Sequence, residues 1–204
     1  MNNLDKFYTS NSIDFSNKYF QYLSEVLSKI DTSSIDSFIK MIISAREDGR
    51  SIYFIGNGGS AATASHFAND LSIGTNSYEK PFRIFSLTDN QAIITAIAND
   101  YGYDDIFVRQ LNVLAKPGDV VVGISASGNS KNIINAFEFA KKSGIYSFAI
   151  TAFDGGKMKQ IADDGIHVPT ELKEYGPAED AHMIIDHLVG SYLIRYVKNE
   201  RILK

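Results

Sequence analysis

The sequence predicts a doubly wound α/β fold: a parallel sheet between helices, preceded by two further helices. Three observations carry this. Short β-branched and aromatic runs alternate with segments of helical periodicity, and the turns joining them are short. Two of those runs also end directly in glycine- or serine-rich turns that open helices. The chain of 204 residues is long enough to bury a substantial core, and no repeat, low-complexity segment or linker interrupts it. The reading is a single domain over 1–204, with a helical extension at 1–49 and an α/β core at 50–204.

The elements follow in order. Residues 12–30 read as a helix with Tyr19, Tyr22, Leu23, Val26, Leu27 and Ile30 on a wide apolar face. A second helix starts near Ser33, whose spacing to Asp36 fits a capping box. Ile35, Phe38, Ile39, Ile42 and Ile43 then keep the helical period until Gly49. These two helices can cover the sheet, but their breadth favours a subunit interface. Ile52–Ile55 make the first strand, and Ser60 is the expected N-cap of the helix after it. Phe82–Leu87 read as the second strand, Gln91–Ala98 and about Asp104–Leu114 as helices. The third strand, Asp119–Ser125, has a Val120-Val121-Val122 core suited to burial on both faces. A helix then runs through Lys142. Ile145–Thr151 and Gly165–Val168 are strands flanking a short helix after Asp154-Gly155-Gly156, and the last helix covers roughly Ala178–Asn199.

Composition narrows the function. A net charge of −4 offers no basic field for nucleic acid or an anionic membrane. Cysteine is absent, which removes disulfides and thiolate metal sites. The polar start MNNLDKFYTSNS lacks the apolar core of a signal peptide, and no apolar run approaches a membrane span, so a cytoplasmic protein is expected.

Two turns carry candidate chemistry. Asn57, Gly58, Gly59 and Ser60 lie between a strand and a helix start, where backbone N–H groups can converge on an anion or a hydroxylated substrate. The turn matches neither GxxxxGK[ST] nor GxGxxG, so no nucleotide motif is present. The second turn, Ser125-Ala126-Ser127-Gly128-Asn129-Ser130, offers three hydroxyls and no lysine or arginine, which suits a phosphomonoester held by neutral donors. Both fall at carboxyl ends of strands, where doubly wound sheets bind ligands.

Titratable residues gather on two helices. His66 and Asp70 stand at i and i+4 on the helix after the first turn. The last helix carries Glu179, Asp180, His182, Asp186 and His187, with Asp186 read as a solvated residue and His182 as a packed one. By helical angle Asp180 shares the face of His187 better than Glu179 does. Two histidines with two or three carboxylates fit a mixed imidazole–carboxylate metal site.

GNGGSAATASHFANDL, AIANDYGYDDIF, GISASGNSKNI, DGGKM and EDAHMIIDH together resemble the SIS-domain phosphoheptose isomerases over nearly the whole chain. The resemblance implies a five-stranded parallel sheet and a homotetramer with active sites at subunit contacts. It implies conversion of sedoheptulose 7-phosphate to D-glycero-D-manno-heptose 7-phosphate through an enediol, for nucleotide-activated heptose biosynthesis. It puts Asn57, Gly58, Gly59, Ser60, Asn99 and Asp100 on the substrate, and the loop of Ser125, Ala126, Ser127 and Ser130 on the phosphate. His66, Asp70, Glu179 and His187 fall where the family binds zinc (Zn2+), with Asp70 and His187 at its acid/base positions and Glu179 also by the substrate. Three positions depart from the common pattern: Asp70 stands where glutamate is usual, Glu179 where glutamine is usual, and Ala126 where threonine is frequent. The alternatives are an isomerase of another phosphosugar, or a non-catalytic SIS tetramer that binds a protein such as a replication initiator. Relatives of the latter kind tend to lack the histidine matched here by His187.

Overall fold

A computed structural model describes residues 2–202. Five parallel strands, β1 (Ser51–Gly56), β2 (Arg83–Ser86), β3 (Val120–Ser125), β4 (Tyr146–Thr151) and β5 (Asp164–His167), pair in the order β2-β1-β3-β4-β5. Nine α-helices are described: α1 (Asn3–Phe7), α2 (Ser12–Ser28), α3 (Thr32–Glu47), α4 (Gly59–Ser72), α5 (Gln91–Tyr101), α6 (Ile106–Leu114), α7 (Lys131–Lys142), α8 (Gly156–Ile161) and α9 (Tyr175–Ile202).

Alternation along the strands builds two cores. Ile52 and Phe54 of β1, Val120, Val122 and Ile124 of β3, and Phe148 and Ile150 of β4 face α3, α4 and α9. Tyr53, Ile55, Val121 and Ala149 face the other way, against α6, α7 and α8. This is the period of two in a sheet covered on both sides, which is why the valine run shows no polar alternation. Phe38 of α3 centres the first core, its ring 4.6 Å from that of Phe148 and 6.0 Å from that of Phe67.

The expected elements are present, with differences at their ends. Asp31, not Ser33, caps α3: its carboxylate accepts from the Ser33 backbone N–H at 2.9 Å and from the Ser33 hydroxyl. Helix α4 starts at Gly59 behind Gly58, so Ser60 is a buried residue of the first turn and not its cap. Gly58 has φ +57°, a conformation glycine adopts without a Cβ penalty. Helix α9 begins at Tyr175, a turn earlier than expected, because Pro177 lies in the first turn where its missing N–H has no helical partner. The five-residue α1, closed by an Asn2–Asp5 capping box, was not expected at all.

Helix α3 gives its apolar face to its own sheet, burying Ile35, Phe38, Ile39 and Ile42. Helix α2 fully buries only Val26, leaving Ile13 and Phe20 exposed. Among the described residues no helix is long and apolar enough to cross a membrane.

His182, on the inner face of α9, is fully buried and neither ring nitrogen has a hydrogen-bond partner. Burial pushes its pKa down to about 4; the nearby Thr151 backbone pulls it up a little without meeting hydrogen-bond geometry. An unfolded histidine titrates near 6.5, so between these values the unfolded chain takes up a proton that the folded one refuses. The neutral ring's contribution is therefore complete above about pH 6.5 and is lost as the pH falls towards 4. We expect wild-type urea stability to drop between pH 7 and 4.5 by about 2.4 kcal/mol more than that of His182→Leu. Equal drops in the two proteins would show that His182 does not titrate on unfolding.

Candidate active site

Strands β1 and β3 are neighbours, but the helices that follow them leave to opposite sides of the sheet: α4 packs in the first core and α7 in the second. This is the switch point of the fold, and both candidate turns open on it. A pair of amides joins them. Asn57 Nδ2 donates to Asn132 Oδ1 at 2.9 Å, and Asn132 Nδ2 returns a bond to Asn57 Oδ1 at 2.9 Å. The Tyr103 hydroxyl also donates to Asn57 Oδ1, at 2.9 Å. The Asn57 side chain, expected on a substrate, is thus engaged in holding the two turns together.

The serine turn is braced from behind. Gly128 has φ +62°, and a Cβ there would lie 1.9 Å from the Gly155 carbonyl oxygen, so no other residue fits. The Gly128 carbonyl accepts from Met158 N at 2.9 Å, and Asn129 Oδ1 accepts from Lys157 N at 3.1 Å. Ala126 is buried, its carbonyl accepting from Ala152 N. Ser130 is the N-cap of α7 yet makes no side-chain cap bond; its hydroxyl lies 3.3 Å from that of Ser125. Ser127 is half-buried, its Oγ accepting only a 3.3 Å bond from Asn129 N. Lys131 and Lys157 are committed elsewhere, to Asp104 at 2.6 Å and Glu138 at 2.5 Å. The cradle is neutral, as the sequence predicts.

Helices α4 and α9 lie side by side and run in parallel. A Cβ on Gly59 would sit 2.4 Å from a Glu179 carboxylate oxygen, His66 meets His187 further along, and a Cβ on Gly190 would lie 3.9 Å from Asp70 Cβ. The pairing brings four titratable side chains together. His66 Nε2 is 3.2 Å from His187 Nε2, 3.5 Å from Asp70 Oδ2 and 3.7 Å from Asp186 Oδ2. One donor atom from each of His66, Asp70, Asp186 and His187 lies within 4.8 Å of the others.

Two expectations change here. Glu179, expected at the fourth corner, is not in this group. Eight residues of α9 separate it from His187, an axial rise of about 12 Å, and its carboxylate lies against Gly59 at the mouth of the first turn. Burial, then the charge of Asp180, pushes its pKa up. Asp180 is not in the group either, since it accepts a 2.5 Å bond from the Tyr19 hydroxyl. Asp186, read as solvated, is fully buried, and neither carboxylate oxygen has a hydrogen-bond partner. Burial, then the charge of Asp70, raises its pKa to about 7. Its position had a signal: His182, Ile185, Asp186, Val189 and Leu193 form one i, i+3, i+4 stripe, and all five are buried. Asn99 and Asp100 are exposed at the end of α5, hydrogen-bonded to each other at 2.8 Å.

The four-residue group fits a metal. A tetrahedral zinc with ligands at about 2.0–2.1 Å has ligand–ligand edges of about 3.3 Å, close to the separations from His66. The two imidazole nitrogens can satisfy each other through one N–H, but the buried, unbonded Asp186 carboxylate beside them is costly without a cation.

Residues 18–152 match the SIS domain family. A probable phosphoheptose isomerase of Thermoplasma acidophilum is 40% identical over 172 residues, 84% of this chain and 93% of its own. A phosphoheptose isomerase of Sulfurimonas denitrificans is 40% identical over 158 residues, 77% of this chain and 80% of its own. Among solved structures, a phosphoheptose isomerase from Francisella tularensis superposes with a TM-score of 0.83 at 27% identity, covering 91% of this chain and 99% of its own. The corresponding enzyme from Neisseria gonorrhoeae superposes with a TM-score of 0.80 at 28% identity, covering 90% and 98%.

Proposed function

The chain belongs to the SIS-domain family, within its phosphoheptose isomerases, and from that premise we propose that it converts sedoheptulose 7-phosphate to D-glycero-D-manno-heptose 7-phosphate for heptose biosynthesis. The observation that carries this reading is the joining of two cradles at one switch point, with an acid/base group on the helix that starts from one of them. A sugar phosphate needs that arrangement: an anchor at one end and proton transfer at the other.

The phosphate binds the serine turn through the hydroxyls of Ser125, Ser127 and Ser130, the backbone beside Ala126 and Gly128, and the positive end of α7. The sugar runs along the first turn, where Gly58, Gly59 and Ser60 offer backbone groups and the Glu179 carboxylate accepts from a hydroxyl. Asn99 and Asp100 contact it from the end of α5. At the reacting end the Asp70 carboxylate takes the C1 proton while His187 gives a proton to the C2 carbonyl oxygen, forming the enediol. Return of a proton to C2 and loss of one from the C1 hydroxyl give the aldehyde. Asp70 and His66 are only part-buried, which leaves them open to a substrate. His66, Asp70 and His187 would hold a divalent metal, read as zinc, which when bound polarises the carbonyl and diol oxygens.

The protein is further proposed to be a homotetramer with its sites at subunit contacts. Support comes from apolar residues left exposed on two adjacent helices: Ile13 and Phe20 of α2, and Leu188, Tyr192 and Ile194 of α9.

Sedoheptulose 7-phosphate incubated with the enzyme and followed by NMR should yield the aldose, and Asp70→Asn should slow it by about 100-fold or more with the fold intact. Absence of the aldose in wild type, or full activity in the variant, refutes this assignment. Ser127→Ala should raise KM by about 10- to 150-fold, the equivalent of about 1.5–3 kcal/mol, with kcat little changed, because a hydrogen bond to a charged phosphate is lost far from the reacting carbons. Unaltered kinetics would remove the serine turn from the site. Light scattering should give a mass of four subunits, and a monomer at micromolar concentration contradicts the shared site.

A further inference from the structure

We infer that Asp186 is the fourth metal ligand of this chain, so that the metal is held by two histidines and two aspartates, and Glu179 is released to the substrate. The inference deepens the metal reading above and rests on it. Four observations support it. The Asp186 side chain is fully buried, yet both of its carboxylate oxygens lack a hydrogen-bond partner. Such a group is rare in a folded protein unless something absent from the chain itself satisfies it. Its Oδ2 is aimed at His66 Nε2, 3.7 Å away. The distances of His187 Nε2 and Asp70 Oδ2 from the same nitrogen, 3.2 and 3.5 Å, are those of donors sharing one small cation. No lysine or arginine pairs with Asp70 or Asp186 among the described residues; the one basic group facing both carboxylates is the His66 imidazole, which they share.

Geometry also favours Asp186 over Glu179. Residue 186 adjoins His187 and lies on the buried stripe of α9 that faces α4, whereas Glu179 is two turns back along the helix. The second aspartate also accounts for the short one at position 70. An aspartate there need not complete the set alone, because a second carboxylate enters from the facing helix. Two carboxylates balance the charge of a divalent cation, leaving the loaded site neutral.

The test is zinc affinity of the full-length protein, measured by competition with a chromophoric chelator, alongside the zinc-induced rise in melting temperature. Asp186→Asn keeps the shape of the side chain and should weaken zinc binding by at least about 100-fold, beyond what loss of an outer partner causes, and should abolish most of the thermal shift. Glu179→Gln should bind zinc as wild type does while altering sugar-phosphate kinetics. Circular dichroism of metal-free Asp186→Asn should match wild type, since removing an unpaired buried charge does not cost stability. Asp186→Asn that is folded and binds zinc within threefold of wild type would overturn the inference, as would loss of zinc in Glu179→Gln alone. Failure of wild type to bind zinc would refute the metal reading itself, whereas isomerase activity is read separately by NMR.

Discussion

The reciprocal amide pair between Asn57 and Asn132 is the contact on which the geometry of the site depends. Each cradle is a short turn at a strand end, and neither has a basic side chain to organise it. A turn of that kind is positioned only by what its backbone and few side chains bind. Two amides, each giving and receiving one bond, fix the spacing between the turn after β1 and the first turn of α7. The strands beneath are already in register, with Phe54 opposite Val122 and Ile55 opposite Gly123. The sheet sets the coarse separation of the cradles, and the amide pair sets the fine one. Gly128 does the same for the far side of the serine turn, because only a residue without Cβ admits the Gly155 carbonyl.

The second constraint is electrostatic. Parallel packing of α4 and α9 places Asp70 and Asp186 beside two histidines, with burial opposing the charge on Asp186. Left alone, such a group is destabilised, since like charges and desolvation act in the same direction. Folding tolerates it because the rest of the helix pair is apolar: Phe67, Leu71, Ile185 and Val189 all belong to the first core. The core supplies the stability that offsets the cost of the polar insert.

The N-terminal helices contribute to the same site from outside. Glu174, immediately before α9 and fully buried, accepts bonds from Asn3 N at 2.6 Å and from the Tyr22 hydroxyl at 2.5 Å. Tyr19 binds Asp180 one turn into α9. Helices α1 and α2 thereby clamp the start of α9, the segment that carries Glu179 to the first cradle. The clamp also explains why Asp180, which by helical angle shares the face of His187, stays out of the group: its carboxylate is occupied by a tyrosine that no spacing argument within α9 could reveal.

Periodicity along the chain was enough to determine the strands, most helices and the two cradles. These are local properties: a run such as Val120-Val121-Val122 has one comfortable environment, and a glycine turn between strand and helix has few conformations. Histidine and aspartate at 66 and 70 were equally legible, because i and i+4 share a helix face whatever the tertiary context. What sequence could not decide was which residues of α9 meet that face. The answer depends on the axial offset between two helices more than 100 positions apart in the chain, and it selects Asp186 over Glu179 and Asp180. The helix caps differ for a related reason. Asp31 outcompetes Ser33 because its carboxylate can take both the backbone and the hydroxyl of that serine, and Gly58 displaces Ser60 because the turn enters the helix through a positive φ that favours glycine. Local sequence fixes what each segment can be; the distances between segments, which only packing sets, fix what they do together.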